Sequence, residues 1–253
     1  MALLATQVEA FRTDGILVIR GMVPQNVCED MLRVAKDHLA RAEAPVEYEA
    51  QLGYAGAPAS LDAPGGRTVR RLLQAYGRHA CFKSWASDRR LVTALAQLFG
   101  EDVYLTLAHH NCVMTKHPAY GTATGWHRDI RYWSFARPDL ISVWLALGPE
   151  TETNGGLRFI PGSHRMDIGR AQLDELDFLR PDVAQNQALM AQGKAIELQQ
   201  GDVVLFHSGT FHAANRNATQ DTKFSVVFAY RGASNPPLAG TRSAASGEVA
   251  LGR

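Results

Sequence analysis

The chain has 253 residues, 46% of them apolar and 20% charged, with a formal net charge of +1. That length holds one large domain or two small ones, and the composition is that of an ordinary globular protein in water. A nearly neutral chain exerts no overall pull on nucleic acid or a membrane surface, and no apolar run reaches the roughly 18 residues of a membrane span.

The N-terminus lacks the basic and apolar regions of a secretory signal. Cys28, Cys81 and Cys112 are odd in number and widely spaced. That pattern points to reduced thiols in a cytoplasmic protein, with neither a disulfide framework nor a paired-cysteine zinc site. Thr6 and Glu9 have the spacing of a capping box, which predicts a short helix stopping near Asp14-Gly15. Ile16 to Gly21 reads as a buried strand. From Pro24 to Glu43 the apolar residues Val27, Met31, Leu32, Val34, Ala35 and Leu39 recur at helical spacing, so an amphipathic helix is expected. Residues 46–68 are rich in Gly, Ala and Pro and read as a long ordered loop. A further helix is expected from Asp88 to Phe99, stopped by Gly100.

Beyond residue 100 the texture changes. "DVYLTLAHHNCVMTK", "LISVWLALG", "LRFIPGS", "AIELQQGDVVLFHSGTFHAAN" and "KFSVVFAYRG" are rich in Val, Ile, Phe and Tyr and are separated by turn residues such as Asn154-Gly155 and Gln200-Gly201. Short strands at this spacing argue for a barrel or sandwich, and helices that precede a β core suggest a mainly β chain with flanking helices, built around a jelly roll. The last residues, 232–253, have loop composition. They read either as a frayed tail or as a segment folded back over the barrel mouth.

The residues able to do chemistry cluster in "TGWHRDIRYW". On a strand, positions i and i+2 share a face, so His127 and Asp129 can meet one metal ion. With a second histidine such a pair makes the ligand set of non-haem iron(II) oxygenases, which leaves positions open for cosubstrate and oxygen. A lone His-x-Asp is more often a hydrogen-bonded surface turn. The third ligand must come from a distant strand, where "GDVVLFHSGTFHAANRN" offers His207 and His212.

"WHRD", "NGGLRFIPGSH", "GDVVLFHSGTFHAANRN" and "KFSVVFAY", together with "FRTDGILVIRGMV" near the start, resemble the phytanoyl-CoA dioxygenase family, in order, from about residue 8 to residue 231. The resemblance implies a double-stranded β-helix (a cupin-like jelly roll) and a single oxygenase domain over 1–253. Within it, a helix-rich part would run to about residue 100, a jelly-roll core from about 101 to 231, and a loop-like segment over 232–253. It also implies iron(II) with 2-oxoglutarate and O2 as cosubstrates, and hydroxylation of a small or medium organic molecule, anionic ones included, with release of succinate and CO2. His127, Asp129 and His212 would hold the iron, and His207 would lie off it. An aspartate at the second ligand position fills the site that related halogenases leave to chloride, which favours hydroxylation. The family usually carries an arginine eleven residues after the last histidine ligand; here that residue is Lys223. Lysine offers a point charge where arginine offers a two-pronged fork, so Lys223 leaves open a cupin-type metalloenzyme that uses no 2-oxoglutarate. A non-catalytic jelly-roll binding protein is the other alternative. Cys112, Trp144 and Arg71 fall close to where the family lines its cosubstrate pocket. Either His109 or His110 should point into the barrel. No nucleic-acid or membrane partner is implied, and the oligomeric state is not readable.

Overall fold

The computed structural model describes residues 2–253. Helix α1 (Ala5–Asp14) begins earlier than the Thr6 cap predicts: Gln7 Oε1 accepts from the backbone N–H of Leu4 at 2.9 Å, and Thr6 and Glu9 lie inside the helix. The helix ends as expected at Gly15, whose φ of +72° is left-handed. A Cβ there would also meet His164 and Thr210 within about 2.5 Å, so only glycine fits the turn. Strand β1 (Ile16–Ile19) follows, then α2 (Gln25–Ala40), which buries Cys28, Met31, Val34 and Ala35 along one face.

The region expected to be a loop opens with a strand, β2 (Val46–Tyr48), which pairs antiparallel with β3 (Val69–Leu73); turns fill the space between them. Two short helices unmarked in the sequence, α3 (Ala75–Arg78) and α4 (Ala80–Ala86), precede α5 (Arg89–Phe99). Asp88 caps α5 by accepting from the backbone of Arg90 and Leu91, and Gly100 ends it. The β core comprises β4 (Val103–Lys116), β5 (Thr124–His127), β6 (Leu140–Ala146) and β7 (Leu157–Phe159). A short helix, α6 (Ala184–Met190), leads to β8 (Lys194–Ala195), β9 (Val203–His207), β10 (His212–Ala214) and β11 (Lys223–Gly232).

The tail expected to be loop-like is folded: α7 (Arg242–Ala245) and β12 (Glu248–Gly252) close the chain. β4 is long enough that β3 covers only its Cys112–Met114 stretch, and β12 pairs along Val103–Thr106. An open edge is thereby covered.

The large sheet has eight strands, in the order β1-β9-β6-β11-β4-β3-β2 with β12 beside β4, and the small sheet has the order β5-β10-β7-β8. The two sheets form a jelly roll, as the resemblance implies, although the large sheet also recruits β1, β2, β3 and β12 from outside residues 101–231. Its outer face packs Leu105, Val113, Val143, Leu205, Val226 and Phe228 against Phe82, Trp85, Leu91 and Leu95 of the helices. Its inner face packs Cys112, Trp144, Val204, Phe206 and Val227 against Leu157, Phe159 and Ala214 of the small sheet. Each large apolar side chain fully buried in this way contributes about 1.5–3 kcal/mol. β4 carries one large irregularity. Phe228 pairs with Asn111 and Ala229 with Thr106, so residues 107–110 bulge out of register and His109 takes a φ of +53°. Among the described residues, no helix is long and apolar enough to cross a membrane.

Candidate metal centre

His127, the last residue of β5, lies directly opposite His212, the first of β10. After His127 the chain leaves the strand, and Asp129 starts a 3-10 turn ending at Tyr132, tied down by the Ile130 N–H donating to the carbonyl of Ser208 at 3.0 Å. His127 and Asp129 therefore do not share a strand face, as simple alternation predicts. The turn swings the carboxylate round to meet the imidazole. Asp129 Oδ1 stands 3.6 Å from His127 Nε2 and 3.4 Å from His212 Nε2. One ligand atom from each residue lies within 4.8 Å of the others, and all three residues are buried.

The orientation of each group suits a cation. His127 Nδ1 lies 2.9 Å from the carbonyl of Gly125, and His212 Nδ1 3.1 Å from that of Thr210. A carbonyl can only accept, so Nδ1 carries the hydrogen in both rings and the Nε2 lone pairs face Asp129. Asp129 Oδ2 accepts from Ser142 Oγ at 2.9 Å and has His110 Nδ1 at 3.2 Å, whereas Oδ1 is buried with no partner. Two lone pairs and one unpartnered carboxylate oxygen converge, which is the donor set of a divalent metal held by outer hydrogen bonds. Burial pushes the Asp129 carboxyl up, but His110 and His212 outweigh it and hold it well below the ordinary range. Burial, with His212 beside it, keeps His127 neutral. Burial works the same way on His212, but the Asp129 carboxylate overrides it and raises that imidazole. The cluster thus favours a positive charge between Asp129 and His212.

Two cavities meet at His110. The first is lined by the three residues above and by Arg70, Lys116, Thr124, Trp144, Leu157 and Lys223. Here Lys223 Nζ lies 3.0 Å from Glu150 Oε2 and 5.0 Å from the Trp144 ring. Ser225 Oγ and Trp144 Nε1 donate to Glu150 Oε1 at 2.6 and 3.0 Å. The second cavity, of about 230 Å³, is lined by Arg71, His109, Asn111, Cys112 and Arg242. Of the four residues expected around the cosubstrate, Lys223 and Trp144 open onto the first cavity and Arg71 and Cys112 onto the second, with Arg71 paired to Glu47 at 3.1 Å. Of the two histidines of β4, His110 reaches the metal cluster, and His109 stacks on Tyr132 with ring centroids 3.7 Å apart. His207 lies off the cluster. Its Nδ1 accepts from the Gly209 N–H at 2.9 Å, and its Nε2 is 3.5 Å from Asp139. His164 Nε2, at the turn, lies 3.2 Å from the carbonyl of Arg12.

Glu150, Ser142, Lys116 and Glu49, the buried partner of Arg70, escape sequence reading. Glu150 sits in "GPETETNGG", where every local signal says exposed turn, yet its exposure is 0%.

A profile of the phytanoyl-CoA dioxygenase (PhyH) family matches residues 11–225. The ectoine dioxygenase of Bordetella bronchiseptica is 26% identical over 258 residues, covering 94% of this chain and 80% of the relative. The crystal structure of EctD from S. alaskensis with 2-oxoglutarate and 5-hydroxyectoine superposes with a TM-score of 0.75 at 23% identity, over 93% of this chain and 78% of that one. The carbocyclase SnoK from nogalamycin biosynthesis superposes at 0.73 and 19% identity, over 95% and 88%.

Proposed function

The chain belongs to the phytanoyl-CoA dioxygenase family and is a non-haem iron, 2-oxoglutarate-dependent dioxygenase; we propose that it hydroxylates a small polar organic molecule, with His127, Asp129 and His212 as the iron ligands. The observation that carries this reading is the buried, unpartnered Asp129 Oδ1 facing two Nε2 lone pairs. Bound together, iron(II) and 2-oxoglutarate would activate O2 and couple loss of CO2 from the cosubstrate, leaving succinate, to insertion of one oxygen atom into a substrate C–H bond.

The chain's own part is placement. The carbonyls of Gly125 and Thr210 fix both imidazoles, and Ser142 with His110 occupies Asp129 Oδ2, so a single carboxylate oxygen is offered and coordination positions stay open. Tyr54, from the segment after β2, bonds the Tyr132 hydroxyl at 3.1 Å and stacks edge-on against Phe178, which packs on His127. These rings shield the reacting centre from water. The first cavity, walled by Trp144 and Lys223, receives the cosubstrate, and the second receives the substrate, across His110. The relatives named ectoine dioxygenases act, by that name, on ectoine, and here a cavity of about 230 Å³ lined by Arg71, Asn111 and Arg242 suits a compact polar substrate. The acyl-CoA of the family name is not implied, because one fold serves many substrates. Three free thiols support a reducing, cytoplasmic location.

Anaerobic protein mixed with iron(II) and 2-oxoglutarate should show the weak visible charge-transfer band of the chelate, and compact polar substrates should then drive succinate formation. Iron binding without the band would instead mark a metalloenzyme that uses no 2-oxoglutarate. No iron binding at all would mark a binding protein.

A further inference from the structure

We propose that Lys116 is the cation that receives the far carboxylate of 2-oxoglutarate. This rests on the reading of the first cavity as the cosubstrate site. Three cationic side chains line that cavity, and all are nearly inaccessible: Arg70 is 2%, Lys116 6% and Lys223 8% exposed. Two of them already have counter-ions. Lys223 is paired with Glu150 at 3.0 Å, and Arg70 Nη1 lies 3.3 Å from both oxygens of Glu49; both glutamates are 0% exposed. Among the described residues, Lys116 has no carboxylate partner. Its ammonium donates to the carbonyl of Thr122 at 2.8 Å, and Arg70 Nη1 donates to that same oxygen at 3.2 Å.

Two cations converging on one neutral acceptor is an unfavourable arrangement for a closed pocket and a favourable one for a pocket awaiting an anion. The three cations of the cavity wall are countered by two buried glutamates, which leaves a surplus of one positive charge. Iron(II) with Asp129 would add one more, and 2-oxoglutarate brings two negative charges, so the filled site is neutral. Donors remain to be used. An ammonium has three hydrogens and Lys116 is seen to employ one, while Arg70 Nε and Thr122 Oγ1 are buried beside it without partners. Burial, with Arg70 and Lys223 nearby, pushes the Lys116 ammonium well below the usual lysine range, and an incoming carboxylate reverses that.

The fold also threads this side chain. Gly155, in the Asn154-Gly155 turn, has a φ of +78°, and a Cβ on it would meet the Asn215 carbonyl at 2.7 Å as well as Lys116 Cε at 3.0 Å, so the lysine stem passes close over a position that only glycine fills. Lys223 is then a positioning residue that fixes Glu150, and through it the Trp144 wall.

The test compares two five-carbon keto acids. 2-Oxoglutarate and 2-oxovalerate, which has a methyl group in place of the far carboxylate, are titrated anaerobically into the iron(II) enzyme. The charge-transfer band and isothermal titration calorimetry both report affinity. The wild-type enzyme should prefer 2-oxoglutarate. Lys116→Met should lose roughly 10- to 100-fold in 2-oxoglutarate affinity, the size of a lost hydrogen bond to a charged group, and keep its 2-oxovalerate affinity. The paired variant Lys223→Met/Glu150→Gln should keep the preference. An unchanged preference in Lys116→Met, equal loss of both keto acids, or collapse of the preference in the paired variant instead would each overturn the assignment. If Lys116→Met does not fold, Lys116→Gln is read the same way. A wild-type enzyme that binds iron but gives no band with 2-oxoglutarate overturns the functional reading, and this proposal with it, whereas a band with unchanged preference in the variant removes Lys116 alone.

Discussion

The two faces of the large sheet share a backbone and little else. On β11, Phe224, Val226, Phe228 and Tyr230 turn outward into the helix-covered core, and Lys223, Ser225 and Val227 turn inward. On β6, Val143 and Leu145 face out, whereas Ser142 reaches Asp129 and Trp144 reaches Glu150. The outer face is apolar, and its fully buried Tyr230 commits its hydroxyl to the carbonyl of Ala86 at 2.9 Å. The inner face buries charges that are tolerable only because nearly all are paired. A period of two along each strand thus assigns stability to one side and chemistry to the other, and each side can be altered with predictably different consequences.

The largest effect should come from the inner face. Asp129→Ala removes the proposed ligand oxygen, the one without a hydrogen-bond partner, so iron retention and succinate formation should drop by more than about a hundredfold, beyond the 10- to 100-fold typical of lost outer partners. Metal analysis after desalting and a succinate assay report both, and full activity would reject the ligand set. On the outer face, Phe228→Ala opens a cavity at a site of 0% exposure and should cost about 3–5 kcal/mol in urea unfolding, with iron affinity of the folded fraction unchanged. A variant that unfolds no more easily but loses iron would show that the faces are not separable. Glu150→Gln leaves Lys223 buried beside a neutral amide and should destabilise by about 3 kcal/mol. Adding Lys223→Met should recover part of that loss, and no recovery would mean that the pair is not the source of the effect.

The outer face was the more legible of the two. Richness in Val, Ile, Phe and Tyr marks β4, β6 and β11, the apolar stripe of α2 carries its own periodicity, and Gly15 and Gly100 mark real helix ends. The four-residue α3 and seven-residue α4 are too short to show a period. The tail's composition says loop. It is a strand because β4 outruns β3 and offers an edge, a long-range fact that no local pattern records. At the metal cluster the residue types were readable as a pattern but the geometry was not, since a 3-10 turn, not a shared strand face, presents Asp129. Arg71 and Cys112, expected around the cosubstrate, open onto the second cavity, across His110 at the end of the β4 bulge. Glu150 and Lys116 gain their meaning only when buried charges are counted in space.

A carboxylate on the outer seam offers a smaller and finer contrast with Glu150. Asp202, just before β9, ties β1 to the large sheet: it accepts from the Gly21 N–H at 2.8 Å, the Gln199 N–H at 2.8 Å and Arg20 at 2.7 Å. Burial pushes its carboxyl up, but these hydrogen bonds outweigh it and hold it below the ordinary aspartate value. A carboxyl whose folded pKa lies below its unfolded value, near 3.9, stabilises the fold above that value, and the contribution fades as pH falls through the folded pKa. The side chain of Arg20 is 60% exposed, so its ion pair adds little and the backbone bonds carry the effect. Asp202→Asn should therefore cost about 1 kcal/mol at pH 7, with the gap between wild type and variant narrowing below about pH 4. Urea midpoints at pH 7 and pH 3 measure this. A gap of equal size at both would mean that the charge of Asp202 is irrelevant, and that the seam, unlike the pair at Glu150, is held by shape alone.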